Sequence, residues 1–288
     1  MSTVIEVNNF SFTYKNAQRK AVKDVSFTVK KGEFLGIIGP TGAGKTTICR
    51  GITGIVPQIF PGKFEGEILV QGKPTQEYSI AELAGIIGYV HQDAESQLLM
   101  TNIEKEIVFP LENLGIPREE IKERLERALR LVHLEQYRNR HPYYLSGGQR
   151  QRVVLATALA MNPDILILDE ATSEIDPLGA EEIMAVAREL NELGKTIILI
   201  EHNMEELALY ADRIIVLEDG VKLAEGPAKQ ILADREMTEK LDLYPPEVTQ
   251  LALALLKKGI ELDDIPVELT EAEALLGRVL AAAGRGGE

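Results

Sequence analysis

The stretch "FLGIIGPTGAGKTT", residues 34 to 47, restricts this chain more than any other part of it. The apolar run 34–39 reads as a short buried strand. Gly39, Gly42 and Gly44 then let the backbone fold tightly, so that consecutive N–H groups point inward at an anion. A helix opening at this point adds its positive N-terminal end. Lys45 supplies a fixed charge for the β- and γ-phosphates of a nucleotide, and Thr46 offers a hydroxyl to Mg²⁺. By chance the string alone turns up in long proteins. Between a buried strand and a helix it rarely does.

A strand–loop–helix unit of this kind needs parallel neighbours, and the downstream sequence supplies them. "GIIGYV" (85–90), "ILILDE" (165–170), "KTIILIEH" (195–202) and "RIIVLEDG" are apolar strands separated by helical stretches, the pattern of a mainly parallel sheet covered on both faces. Upstream, "VIEVNNFSFTY" and "VKDVSFTVKKG" alternate as an antiparallel pair, and "GEILVQGK" reads as a further hairpin arm. Residues from about 96 to 160 are long, charged and helical, with Pro117 at a helix start. After about residue 235 the pattern changes to helices alone. Pro246 opens one and Gly259 closes it, while Thr270 and Glu273 predict a capping box on the next. This extension serves either as an ordinary helical cover or as an oligomerisation element. The terminal "GRGGE" reads as disordered.

In open parallel sheets ligands bind at the carboxyl ends of the strands, and several chemically apt residues fall there. Asp169 is placed to hold Mg²⁺, directly or through water. Glu170 is placed to polarise an attacking water as general base. His202, ending the next strand, reaches the γ-phosphate region. Gln92, after "GIIGYVH", occupies a similar edge and senses the metal or the attacking water. A second anion seat lies in "YLSGGQRQRV" (144–153), where Ser146, Gly147 and Gly148 give an N-cap hydroxyl and unhindered N–H groups. It has neither a lysine nor a metal-binding acid of its own. Two copies arranged head to tail resolve this, each lending its serine–glycine helix end to the nucleotide held by the other.

Together these motifs resemble the ATP-binding cassette (ABC) ATPases over roughly residues 3 to 234. The phosphate loop 39–47 (Gly39, Pro40, Thr41, Gly42, Ala43, Gly44, Lys45, Thr46, Thr47) matches Walker A, and residues 165–170 match Walker B. Gln92 matches the Q-loop, with a metal contact implied for it. "LSGGQ" 145–149, ending in Gln149, matches the signature. "SEID" 173–176, ending in Asp176, matches the D-loop, and His202 the switch histidine. Tyr14 stands where the family stacks an aromatic ring on adenine. The resemblance implies a P-loop NTPase core, an N-terminal antiparallel β subdomain, an inserted α-helical subdomain and a C-terminal helical extension (235–288). It also implies ATP and Mg²⁺ as ligands.

"GYVHQDAESQLLM", "EIVFPLENLGIP" and "YPPEVTQLALALLKKG" further resemble the ATPase (A) component of energy-coupling factor (ECF) transporters. His91 and Pro110 replace an aromatic and a glycine common in that group, and "SEID" differs from the commoner "SALD". The resemblance implies uptake of a vitamin or of a metal ion such as cobalt or nickel. Its implied partners are a second ATPase chain (identical or paralogous), a transmembrane T component and a substrate-binding S component. They place the chain as a peripheral protein on the cytoplasmic face of the cell membrane.

Composition weighs the alternatives. The 288 residues include 31 basic and 45 acidic ones, net −14, a field that repels phosphate backbones and argues against nucleic acid as a partner. A soluble ABC ATPase acting on DNA or ribosomes usually carries a second cassette, zinc cysteines or long coiled coils; here there is one phosphate loop and one cysteine, Cys49. A nucleotide-binding regulator without turnover has no need of Glu170. The N-terminus lacks an apolar signal core, and no run approaches the roughly 20 apolar residues of a membrane span. The expectation is a soluble, intracellular protein.

Overall fold

The computed structural model describes residues 2–173, 175–241, 244–260 and 262–285. Glu174 of "SEID" and the last three residues of "GRGGE" lie outside the described residues.

Strands β1 (Thr3–Tyr14) and β2 (Val22–Lys30) pair antiparallel, as their alternation predicts, with Val7 opposite Phe27. β3 (Phe34–Ile38) leaves this layer to begin a second sheet, and α1 (Lys45–Ile52) and α2 (Ile55–Gln58) follow it. β4 (Gly62–Val70) returns as the antiparallel neighbour of β1, with β5 (Lys73–Pro74) outside it. A capping box between Ser79 and Glu82 starts α3 (Ile80–Ile86). That helix absorbs Gly85 and Ile86, so the strand expected from residue 85 begins two residues later, as β6 (Ile87–His91). The helical insertion consists of α4 (Ile103–Asn113), α5 (Arg118–Leu131) and α6 (Gly147–Ala160), and α4 accommodates Pro110. Then β7 (Ile165–Asp169), α7 (Pro177–Glu192), β8 (Thr196–Ile200), α8 (Met204–Tyr210) and β9 (Arg213–Glu218) alternate. β10 (Val221–Pro227) turns back antiparallel on β9, an edge strand without a single buried residue, whose mix of Lys222, Ala224, Glu225 and Gly226 with Val221 and Leu223 makes no apolar run.

Among the described residues there are two sheets, ordered β2-β1-β4-β5 and β10-β9-β3-β8-β7-β6. The second is parallel apart from β10, with Ile37 level with both Ile200 and Ile215. Its strands are apolar on both faces because both are covered. Leu35, Ile37, Ile167, Ile198 and Ile200 pack toward α1 and the antiparallel sheet, sharing a core with Ile48, Ile52 and Phe10. Phe34, Ile38, Leu166, Leu168 and Leu199 pack against the helical side with Ile107, Leu129, Val153 and Ile183. The sheet is therefore sandwiched between a β layer and a helical layer, which leaves the carboxyl ends of β3, β6, β7 and β8 side by side at one edge.

The C-terminal part comprises α9 (Ala228–Ala233), α10 (Arg235–Lys240), α11 (Glu247–Lys257) and α12 (Leu269–Arg285). Pro246 and Gly259 bracket α11 as expected, Gly259 at φ 82°. The capping box on Thr270 does not form, because α12 already begins at Leu269 and Thr270 lies inside its first turn. Glu271 supplies the reach-back instead, accepting the backbone N–H of Val267 at 2.9 Å. It also pairs with Lys229, which holds Asp264 as well and so ties α9 to the extension. Met237, Leu241 and Val267 join the helical-side core. The extension thus covers the body of the molecule.

Candidate nucleotide-binding site

The loop between β3 and α1 is shaped by what surrounds it. At Gly39 (φ 148°) a Cβ would stand 2.1 Å from the carbonyl oxygen of Leu217, and at Gly44 (φ 100°) 2.6 Å from that of Ala21. Both positions therefore admit only glycine. At Gly42 a Cβ would meet nothing within 4 Å, so backbone packs one side of the loop and leaves this stretch open. The first N–H groups of α1 have no partner within the helix, and they face the same way as the dipole that favours an anion. The cradle fits a phosphate chain.

Lys45 is buried at 4% exposure, and its ammonium donates to the carbonyl of Gly39 at 2.8 Å and, more weakly, of Pro40 at 3.4 Å. It also stands 3.5 Å from Glu170 Oε1 and 3.5 Å from His202 Nε2. Glu170 has a left-handed backbone, φ 55°, while its N–H still bonds the carbonyl of Ile200 at 2.9 Å. The chain turns sharply here, and the carboxylate meets His202 Nε2 at 3.0 Å. Lysine, glutamate and histidine, read from three separate strand ends, form one cluster.

Beside it, Thr46 Oγ1 donates to Asp169 Oδ1 at 3.3 Å, and Tyr89 donates its phenol proton to Asp169 Oδ2 at 2.8 Å. Thr46, Gln92, Asp169 and Glu170 line a common cavity of about 440 Å³, together with Arg50, His91 and Phe60. Threonine and carboxylate oxygens are the donor type Mg²⁺ takes, usually completed by phosphate oxygens and water. Among the described residues no cluster of three His, Cys, Asp or Glu side chains could hold a metal alone. The set fits an ion that arrives with a nucleotide.

Ser146 caps α6 in a full capping box, accepting the N–H of Gln149 while the Gln149 side chain accepts the N–H of Ser146. Gly147 and Gly148 open the helix, and a Cβ on Gly148 would lie 3.7 Å from Asp176 Oδ2. Asp176 itself caps α7, accepting from Gly179 N–H at 3.0 Å. None of Ser146, Gly147 and Gly148 lines the cavity containing Thr46 and Asp169. Within one chain the two anion seats are separate. Tyr14 also stands off that cavity. Its hydroxyl lies 3.1 Å from Thr47 Oγ1 and accepts from Arg50 at 3.2 Å, and its ring meets Phe12 edge-on.

Two neighbours of the site carry no sequence signal beyond their place on a strand end. Tyr89 orients Asp169, and burial pushes its phenol far above the usual range. Glu201, directly before His202, is buried at 2% exposure, and burial raises its carboxyl to about 7. The segment after Gln92 holds itself together. Asp93 Oδ1 accepts the N–H groups of Glu95 and Ser96, and Glu95 pairs with Arg150 of α6 at 3.0 Å. Gln151, also on α6, donates to the His91 carbonyl at 2.7 Å. His91 is held below its ordinary range, chiefly by burial.

Comparison with known proteins bears on this geometry directly. The model of the family described as ABC transporter matches residues 22–173. The energy-coupling factor transporter ATP-binding protein EcfA of Methanocaldococcus jannaschii is 38% identical over 267 residues, 92% of each chain. CbiO1 of Clostridium perfringens, described as part of the ABC transporter complex CbiONQ, superposes with a TM-score of 0.73 at 32% identity, covering 88% of this chain and 100% of that one. The cassette MJ0796, solved as a dimer in a post-hydrolysis state with ADP and Pi, gives a TM-score of 0.69 at 31% identity, covering 78% and 98%.

Proposed function

Because the chain belongs to the ABC transporter family of ATP-binding proteins and hydrolyses ATP in the service of transport, we propose that it is the ATPase motor of an ECF-type importer. In this reading residues 1–234 form the nucleotide-binding domain and 235–288 a covering extension with a role in dimerisation. Two such chains, identical or paralogous, sit on the cytoplasmic membrane face beneath a transmembrane T component and a substrate-binding S component. The cargo is a vitamin or a metal ion. Among the described residues no helix is long and apolar enough to cross a membrane, so partners must supply the passage. The names of EcfA and of the CbiONQ subunit support this reading.

One observation carries the chemistry: the Lys45–Glu170–His202 cluster lies beside the Thr46–Asp169 pair, while the signature helix end stands outside that cavity. The backbone of residues 39–47 and Lys45 hold the phosphates, and Tyr14 lies under the adenine. Thr46, Asp169 and Gln92 would hold Mg²⁺, which would neutralise phosphate charge. Glu170 Oε1 takes the proton of the attacking water, and His202 orients both Glu170 and the terminal phosphate. Ser146, Gly147, Gly148 and Gln149 of the second chain close over the same phosphate, with Asp176 beside them. Hydrolysis removes the shared contact and the pair opens.

Purification of the membrane complex, identification of its subunits by mass spectrometry and ATP-driven uptake in proteoliposomes test the assignment. A T component and an S component in stoichiometric amount are expected. Recovery of the chain only with nucleic acid or ribosomes would overturn it.

A further inference from the structure

Strand β8 is buried throughout and apolar from Ile197 to Ile200, yet the next residue is an acid buried as deeply. A carboxyl in that position is costly unless its hydrogen bonds are met, and those it makes are specific. Oε1 accepts both the hydroxyl of Thr172, at 2.7 Å, and the backbone N–H of Thr172, at 3.2 Å. Thr172 belongs to the turn directly after Glu170, where Ser173 also bonds back to the Glu170 carbonyl through its N–H and its hydroxyl. Glu201 itself precedes His202. The carboxyl therefore clips together the two segments whose side chains meet as Glu170 and His202. The far side of the clip is fixed as well. Glu206 Oε2 lies 3.4 Å from the same hydroxyl, and Asn203, which caps α8 through the N–H of Glu205, donates to Glu206 Oε1 at 3.2 Å.

We propose that Glu201 is a positioning residue for ATP hydrolysis: by holding Thr172 on one carboxyl oxygen it keeps the turn after Glu170 in register with the loop carrying His202. It does not line the cavity of Thr46 and Asp169, and acts through the 3.0 Å contact between those two side chains. The inference rests on the reading of Glu170 and His202 as the hydrolytic pair. Two acceptor bonds to one oxygen require a carbonyl-like oxygen, not a negative charge, so an amide can replace the acid.

The test is steady-state ATPase kinetics of the full-length chain in its membrane complex, with equilibrium binding of a fluorescent ATP analogue alongside. Glu201→Ala is expected to lower kcat about tenfold or more, the scale of losing an orienting hydrogen bond at a site. Its KM and nucleotide affinity should stay within about twofold, and Glu201→Gln should recover most of the lost kcat. Such a split does not follow from general loosening of the fold. If Glu201→Ala no longer binds nucleotide, Thr172→Val decides, because it removes the hydroxyl and keeps shape and N–H; reduced kcat with intact binding supports the clip. An unchanged kcat in Glu201→Ala or in Thr172→Val, or a Gln variant as slow as the Ala variant, overturns the proposal. Glu170→Gln, measured in parallel, separates the two readings. Full turnover there removes Glu170 from hydrolysis, whereas full turnover in Glu201→Ala alone removes only the clip.

Discussion

Glu170 occupies a backbone region that a non-glycine residue enters at a cost of about 1–3 kcal/mol, and the φ of 55° is what turns its carboxylate back toward Lys45 and His202. Such strain at a strand end is consistent with a base held in one place. Glu170→Gln keeps the side-chain shape but cannot accept a proton, so turnover should fall ~10²–10⁴-fold with ATP binding retained. The ATP-bound pair should then accumulate on size exclusion; near-normal hydrolysis would remove Glu170 as base. Lys45→Ala fails earlier, because it takes a buried charge from the phosphate cradle. An ATP titration should show the loss, and unchanged affinity would mean that the loop is not the site. Glu201 makes a different prediction, in stability. Its folded carboxyl titrates at about 7 against an ordinary value of 4.5, with burial as the main cause and the neighbouring Glu206 adding to it. The folded state therefore binds a proton that the unfolded state releases between these two values. Stability is fullest below pH 4.5 and is lost as pH rises to about 7, by about 3 kcal/mol at most. Thr172, the His202 N–H and Glu206 are the groups that face it. Glu201→Gln should flatten that decline in urea titrations at pH 5, 6 and 7.5. Parallel pH profiles for the two proteins would show that the carboxyl is already ionised in the fold.

At the scale of elements, the separation of the Ser146 helix end from the phosphate loop is what the proposed head-to-tail pairing rests on. At that helix end Ser146 and Gln149 form a reciprocal capping box, and the end stands apart from the cavity of Thr46 and Asp169. A mixture of Ser146→Arg chains with Lys45→Ala chains should therefore regain part of the ATPase activity that each lacks alone. In half of the composite sites of a mixed pair, phosphate loop and signature both come from unmutated segments. Activity that stays at zero, under conditions where chains demonstrably exchange, would mean that the signature does not act across chains. How much of this could be read beforehand differs by element. β3, β7 and β8 announce themselves because burial on both faces demands unbroken apolar runs, and Gly39 and Gly44 because only glycine fits where Leu217 and Ala21 approach. β10 is hidden because an edge strand with no buried residue needs no apolar run, and the start of β6 is blurred because Gly85 and Ile86 suit a helix end as well as a strand. Thr270 looked like a cap since serine and threonine usually are, yet Leu269 already lies in the helix and Glu271 reaches back instead. Tyr89 and Glu201 were illegible, because their partners, Asp169 and Thr172, are 80 and 29 residues away.

For the molecule as a whole, net charge of −14 opposes attachment to an anionic lipid surface, so in the proposed importer contact at the membrane is made to protein. In that proposed assembly the segment after Gln92 is the expected docking site. It is tied to α6 by the Glu95–Arg150 pair, next to the His91 carbonyl that accepts from Gln151, and it turns Glu95 outward with 71% of the side chain exposed. The pair with Arg150 is worth at most about 1 kcal/mol at such exposure, so a guanidinium of the proposed T component would be able to take its place at Glu95. Asp93 differs, since Oδ1 is occupied by two N–H groups of its own turn, and an asparagine there keeps that acceptor. Changing Asp93 to Asn and Glu95 to Gln together should thus leave folding and ATP binding intact, with a midpoint of denaturation close to that of the parent. Co-purification with the T component and uptake should both weaken, and less so in low salt, where the remaining acidic groups are less screened. Repeating the change at Glu95 alone should reproduce most of the loss, because the Asp93 carboxylate is committed to the turn. Unaltered co-purification and unaltered uptake in the double variant would reduce this segment to a solvated acidic turn tied to α6, and would move the docking surface elsewhere on the helical layer.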